Sequence, residues 1–255
     1  MNQHFAPSDL LPTLQMFGLD VVDTTLDQVV GRLLDEVKAK RFRRVNFANA
    51  NNVNIAHRDG AFRSALTNST VLPDGIGMDL ACRLLNGRRF TADLNGTDLV
   101  PKLLEAAPRG TTIGLIGAAP GIADRAASSI NELAPQVDVQ HVAHGFLSDD
   151  ERRKFVADLA QSPVDILLVA MGTPMQEKWA AQNITASHTT LVLTVGALFD
   201  FLSGNVDRAP NWVRKSRFEW AYRLSREPGR LWQRYLIGNG IFLARALALK
   251  LSGRS

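Results

Sequence analysis

Six polar side chains stand out in this 255-residue chain because each sits in a turn or among apolar neighbours: Asn49, Asp74, Asp98, Gln176, Glu177 and Asp200. Asp74 lies between Pro73 and Gly75, the setting of a turn. Gln176 follows Gly172-Thr-Pro-Met175 and falls in the first turn of an expected helix. Asp200 stands in Ala197-Leu-Phe-Asp-Phe-Leu202, where a carboxylate needs a partner or a ligand. Metal chemistry has little to build on. His141-x-x-His144 is the one close histidine pair, with no cysteine or carboxylate cluster beside it, and the chain has no Asp-x-Asp to hold a divalent cation on a sugar nucleotide. No metal or cofactor is therefore expected.

The elements that must position these residues are clearest after residue 111. Thr111–Gly117, Val137–Val142, Asp165–Met171 and Thr190–Val195 read as buried strands, separated by amphipathic helices. One helix opens at Ser148-Asp-Asp-Glu151, which has the form of a capping box. Such alternation predicts an α/β fold, a Rossmann-like parallel sheet with helices on both faces. Gly117, Gly145, Gly172 and Gly196 each follow a strand, at the edge where open α/β sheets bind phosphate-bearing ligands, although glycines also simply make short turns. Gly114-Leu-Ile-Gly117-Ala-Ala-Pro-Gly121 is a loosened dinucleotide fingerprint. Its spacing is not G-x-G-x-x-G, and no acid ends the following strand to hold a ribose, which argues against a pyridine nucleotide. Walker A spacing is absent. The first half is less regular: a helix capped by Thr25-Leu-Asp-Gln28 running to about Lys38, a strand at Arg44–Ala48, a helix containing the single cysteine, Cys82, an exposed connection over Arg88–Asn95, and a helix from about Thr97. A lone cysteine excludes an internal disulfide framework and fits a reducing compartment. These patterns alone describe a phosphate-binding α/β protein whose reaction stays open.

Charge divides the chain unevenly. Residues 208–254 hold eleven Lys/Arg against Glu219 and Glu227, a charge of +9 in a chain of net +4, so the preceding residues carry about −5. The same tail holds Trp212, Trp220, Trp232, Tyr222 and Tyr235. A basic, aromatic tail on an acidic body suits an anionic, partly apolar target: a membrane surface with a phosphate-bearing lipid, or a nucleic acid. The expected division is an α/β catalytic core over residues 1–205 and a basic, aromatic helical C-terminal appendage over 206–255. No secretion signal is visible, and no apolar run is long enough to span a bilayer. Arg230 and Arg234 would share one face of a helix beginning at Pro228, with Leu231, Trp232, Tyr235 and Leu236 on adjoining faces.

Several ordered segments together resemble the WecG/TagA/CpsF family of bacterial glycosyltransferases (glycosyltransferase family 26). They are Pro73-Asp-Gly-Ile-Gly77, Asn95-Gly-Thr-Asp98, Met171-Gly-Thr-Pro-Met-Gln-Glu-Lys178, Gly196-Ala-Leu-Phe-Asp-Phe-Leu-Ser-Gly204 and Arg208-Ala-Pro-Asn-Trp-Val-Arg214, with Glu227-Pro228 and Arg234-Tyr235 beyond. The resemblance implies an inverting, metal-independent transfer of glucose, N-acetylmannosamine or its uronic acid. The sugar would pass from a UDP-sugar to a sugar on a polyprenyl diphosphate, in exopolysaccharide or cell-wall polymer synthesis at the cytoplasmic face of the membrane. It makes Asp74 the general base, places Asn49, Asp98, Gln176 and Asp200 in the pocket, and leaves the loops of Gly117, Gly172 and Gly196 to hold the nucleotide. Arg208, Arg214, Arg223, Arg230 and Arg234 would meet the lipid diphosphate. This sequence departs from the family pattern twice. Phe47 stands where relatives often have threonine, and Thr91-Ala-Asp-Leu-Asn95 where they often have an arginine before the Gly-Ser/Thr-Asp motif. The competing reading from another class is a non-catalytic nucleotide or nucleic-acid binder with a basic tail. Which sugar moves, and whether copies of the chain associate, stay open at this stage.

Overall fold

The computed structural model describes residues 11–206, 209, 219–226, 229 and 232–252, without the side chains of residues 219, 220, 223, 234 and 235. The described residues open with two strands absent from the sequence reading, β1 (Thr13–Met16) and β2 (Leu19–Val22), paired antiparallel. Their two-residue turn is Phe17-Gly18, both at positive φ (56° and 74°), the twist that closes a tight hairpin. Then come α1 (Leu26–Lys38), β3 (Arg43–Ala48), α2 (Ala50–Ala56), α3 (Gly60–Thr67), β4 (Thr70–Pro73), α4 (Ile76–Asn86) and α5 (Gly96–Glu105). The second half is β5 (Thr112–Gly117), α6 (Ile122–Leu133), β6 (Asp138–Ala143), α7 (Asp149–Gln161), β7 (Val164–Ala170), α8 (Met175–Asn183), β8 (Thr189–Thr194) and α9 (Leu198–Leu202). Within the tail, α10 (Glu219–Arg226) and α11 (Gly238–Leu251) are described, α11 being entered through a π-helical stretch, Gln233–Ile237.

The eight strands form one sheet in the order β1-β2-β4-β3-β8-β7-β5-β6, parallel except for the first pair. Strand residues alternate between its two faces. Ile166 and Leu168 join Leu191 and Leu193 under α1, α5, α6 and α9, whereas Leu167 and Val169 pack with Val192 beneath α7 and α8. Helices thus cover both faces. The expected caps form: Thr25 with Gln28 opens α1, and Ser148 with Glu151 opens α7. Pro174 stands at the cap of α8 rather than inside its first turn.

The final helix belongs to the body as much as to the tail. Phe242 and Ala246 are fully buried in the core that holds Val53, Met78 and Ala81. The Phe242 ring centroid lies 5.0 Å from that of Phe17, and Asn54 Nδ2 donates to Gly238 O at 2.8 Å. A Cβ on Gly77 would meet Phe242 Cε1 at 3.7 Å and Ala50 Cβ at 3.3 Å, so glycine lets α4 approach both α2 and α11. The helix expected from Pro228 begins outside the described residues.

Candidate active site

The two halves of the chain meet where β3 pairs with β8 (Val45↔Leu193), and the strand order reverses there. A cavity of about 420 Å³ opens at the C-terminal ends of β3, β4, β7 and β8. This is the crevice in which open α/β sheets take their ligands. Of the residues expected from sequence, Asn49, Asp74, Asp98, Gly172, Gln176, Gly196 and Asp200 all line it.

Asp74 follows β4 directly, and its N–H donates to Ala48 O at 2.9 Å, which holds its backbone to the end of β3. Asn49 caps α2, accepting from Asn52 N at 3.1 Å, and donates through Nδ2 to Asp74 Oδ2 at 3.0 Å. One amide therefore fixes a helix start and the orientation of a carboxylate. Asn95 does the same for Asp98: its Oδ1 accepts from Asp98 N at 3.0 Å and its Nδ2 donates to Asp98 Oδ2 at 2.9 Å. Gln176, buried in the first turn of α8, accepts from Gly196 N at 3.1 Å and donates to Glu177 Oε1 at 2.9 Å. It ties α8 to the loop after β8, so the Gly196 N–H is spent inside the protein and not on a ligand. Thr173 Oγ1 also donates to Glu177 Oε1, at 2.8 Å, and burial pushes the Glu177 carboxyl above its usual range. Asp200 accepts from Asn205 Nδ2 at 3.1 Å, the partner its apolar neighbours required. Phe47 lines the cavity, its ring 3.2 Å from where a Cβ on Gly96 would stand.

Gly117 does not line the cavity. Its φ of 144°, and an added Cβ only 2.3 Å from Ala170 O, show that glycine is needed there for close approach to β7. The Arg88–Asn95 connection is not simply exposed either. Phe90 and Leu94 are buried, and Thr91 N donates to Asp23 Oδ1 at 2.8 Å. This anchoring brings in Asp93, a residue the sequence reading left unassigned. Asp93 lines the cavity and accepts from Gly75 N at 2.9 Å, so it is fastened to the residue after Asp74. Burial first, and then the Asp74 charge, push its carboxyl up to about 7, with Asp98 adding to the rise. Its sequence signal was faint: it lies in Thr91-Ala-Asp-Leu-Asn95, the segment that departs from the family pattern.

Of the tail arginines, Arg208, Arg214 and Arg230 lie outside the described residues, as do the side chains of Arg223 and Arg234. The tail nevertheless reaches the site, because Asn239 at the start of α11 lines the cavity. Among the described residues, no group of three or more His, Cys, Asp or Glu is arranged to hold a metal ion.

A carboxylate oriented by an amide thus stands in a crevice at the switch point of a doubly wound sheet, the place where open α/β sheets bind their ligands. The model of the glycosyl transferase WecG/TagA/CpsF family matches residues 14–255, and the chain belongs to that family: it is a glycosyltransferase. Two relatives carry the name N-acetylglucosaminyldiphosphoundecaprenol N-acetyl-beta-D-mannosaminyltransferase. The one from Bacillus subtilis (strain 168) is 30% identical over 213 residues, 83% of this chain and 77% of the relative. The one from Bacillus spizizenii (strain ATCC 23059 / NRRL B-14472 / W23) is 30% identical over 167 residues, 65% of this chain and 63% of the relative.

Proposed function

We propose that this glycosyltransferase moves N-acetylmannosamine from a UDP-linked donor to N-acetylglucosamine carried on a polyprenyl diphosphate. The step would serve cell-wall polymer synthesis at the inner face of the plasma membrane. The observation that carries the reading is Asp74, oriented by Asn49 inside the crevice of the sheet. The relatives' names supply the sugar and the acceptor, and favour N-acetylmannosamine over glucose.

In this reading the acceptor hydroxyl oxygen bonds to the anomeric carbon as the bond from that carbon to the UDP oxygen breaks. The electron pair leaves with the diphosphate, and the hydroxyl proton passes to Asp74. Attack opposite the leaving group inverts the anomeric centre. Asn49 holds Oδ2 of the base, which leaves Oδ1 to face the hydroxyl. The departing diphosphate needs positive charge beside it. With no divalent cation taking part, the charge comes from the tail, whose Arg208, Arg214, Arg223, Arg230 and Arg234 also suit the diphosphate of the lipid acceptor.

Membrane attachment is supported by the outer side of the last helix. Trp232, Leu236, Leu243, Leu247 and Leu251 are exposed at spacings of one or two turns along the π-helical stretch and α11, with exposed Lys250 beside them. Such a face suits the headgroup boundary of a bilayer. Among the described residues, no helix is long and apolar enough to cross a membrane.

The test is transfer from a panel of UDP-sugars to a synthetic N-acetylglucosamine-diphosphate-prenol in detergent with EDTA, by wild type and Asp74→Ala. Lipid-linked product from UDP-N-acetylmannosamine is expected, retained in EDTA and reduced about 10²- to 10⁴-fold in the variant. Absence of product with every donor, or full activity in Asp74→Ala, would overturn the reading.

A further inference from the structure

We infer that the cavity takes a donor whose sugar is uncharged and turns away one bearing a carboxylate, with Asp93 as the residue that sets this preference. The inference rests on the proposed transfer at Asp74. A base must touch the acceptor hydroxyl beside the reacting carbon, so the sugars meet at Asp74. Asp93 is held to the same turn by the Gly75 N–H, at 2.9 Å, which places a second carboxylate within reach of those sugars. Asp98, Glu177 and Asp200 bring the cavity's carboxylates to five, and among the described residues no lysine, arginine or histidine lines it.

The site already resists negative charge. Burial and the neighbouring Asp74 raise Asp93 to about 7, so the second carboxyl there ionises only reluctantly. A sugar carboxylate would add a further negative charge in the same space while giving up its own water. A neutral sugar presents hydroxyls and an amide N–H, which donate to carboxylates. The preference is therefore for N-acetylmannosamine over its uronic acid, and not merely a matter of size.

One unit charge about 6 Å away, at an effective dielectric constant of about 20, corresponds to roughly a 100-fold change in binding. The experiment compares UDP-N-acetylmannosamine with UDP-N-acetylmannosaminuronic acid, first by their competition for bound fluorescent UDP and then by kcat/KM. Wild type, Asp93→Asn and Asp93→Ser are measured. At pH 8, where Asp93 is ionised, wild type should prefer the neutral donor by roughly 100-fold, and both variants should narrow that ratio by up to about 10-fold by improving the uronate. Equal binding of the two donors by wild type overturns the inference without any variant being needed. An unchanged ratio in folded Asp93→Asn and Asp93→Ser removes Asp93 from it. Competition binding reads the preference even without turnover, so a preference for the neutral donor with no product from either would overturn the proposed reaction and leave the inferred selectivity standing.

Discussion

Replacing Asp93 by asparagine should make the protein more stable, and increasingly so as the pH rises. The carboxyl ionises near its ordinary value of 3.8 in the unfolded chain but only at about 7 in the folded one. A raised carboxyl binds its proton more tightly in the native state. Its favourable contribution is complete below about pH 4 and is lost as the pH climbs through 7. The gap spans about three pH units at roughly 1.4 kcal/mol each, so by pH 8 about 4 kcal/mol is missing. About one of those units is already spent at pH 5, which leaves about 3 kcal/mol to be lost between pH 5 and pH 8. Asparagine keeps an acceptor for the Gly75 N–H and carries no charge at either pH. The difference in unfolding free energy between Asp93→Asn and wild type should therefore grow by about 3 kcal/mol across that interval, whatever its value at pH 5. Comparing the two proteins cancels every titration except those coupled to Asp93, namely Asp74 and Asp98. Urea unfolding at pH 5, 6, 7 and 8 measures it. A difference that stays flat with pH, or a variant that loses ground as the pH rises, would refute the argument.

Two further perturbations test other parts of the molecule. Glu36 is fully buried on α1 and meets Arg32 at 3.1 Å, Arg41 at 2.8 Å and Arg43 at 3.5 Å. Burial opposes its charge, but the arginines outweigh that and hold the carboxyl below its ordinary 4.5. The stability it confers is present above that pH and falls away as acid protonates it. Glu36→Ala should cost about 3–5 kcal/mol at pH 7, and less at pH 3, by urea unfolding. Phe242→Ala should cost about 3–5 kcal/mol by opening a cavity against Phe17 and Gly77. It should also lower transfer to a lipid acceptor more than it lowers UDP binding, because α11 carries Asn239 to the cavity.

The elements legible in the sequence were those with a strong local signal. The five strands read there match β3, β5, β6, β7 and β8 within a residue or two, because long apolar runs sit between capped helices. The first hairpin was not legible, since Phe17-Gly18 takes a turn usually marked by Asn-Gly. Nor was β4, four residues ending in Pro73, where a proline argues against an interior strand. Pro73 is tolerated because it closes the strand and its carbonyl still accepts from Leu94 N at 2.9 Å. Asn49, Asp74, Gln176 and Asp200 were recognisable because their types clash with their surroundings or fit the family motifs. Asp93 was hidden: its importance comes from a fold that buries Phe90 and Leu94 and brings it against the turn of Asp74. Gly117 was misleading for the opposite reason, since a glycine after a strand looks the same whether it serves a ligand or a neighbouring strand.

The acidic cavity and the basic tail account for each other. A metal-free transfer from a nucleoside diphosphate needs cations where the leaving group departs, and the described lining has none. Phe201 and Asn239 both line the cavity, so the segment between them begins and ends at its rim. That segment carries eight Lys/Arg against Asp207, Glu219 and Glu227. Its second end is fixed by Phe242, Ala246 and the hydrogen bond from Asn54 to Gly238, beside the apolar face proposed to meet the membrane. A chain tethered at both ends beside a site stays at high effective concentration there. In the proposed reaction its charges would thereby be kept near the diphosphates. In the proposed reaction the body would supply the base and the selectivity, and this segment the charge. The two functions should accordingly separate on mutation, with substitutions in the cavity changing which donor is used and substitutions in the segment changing how fast any donor is used.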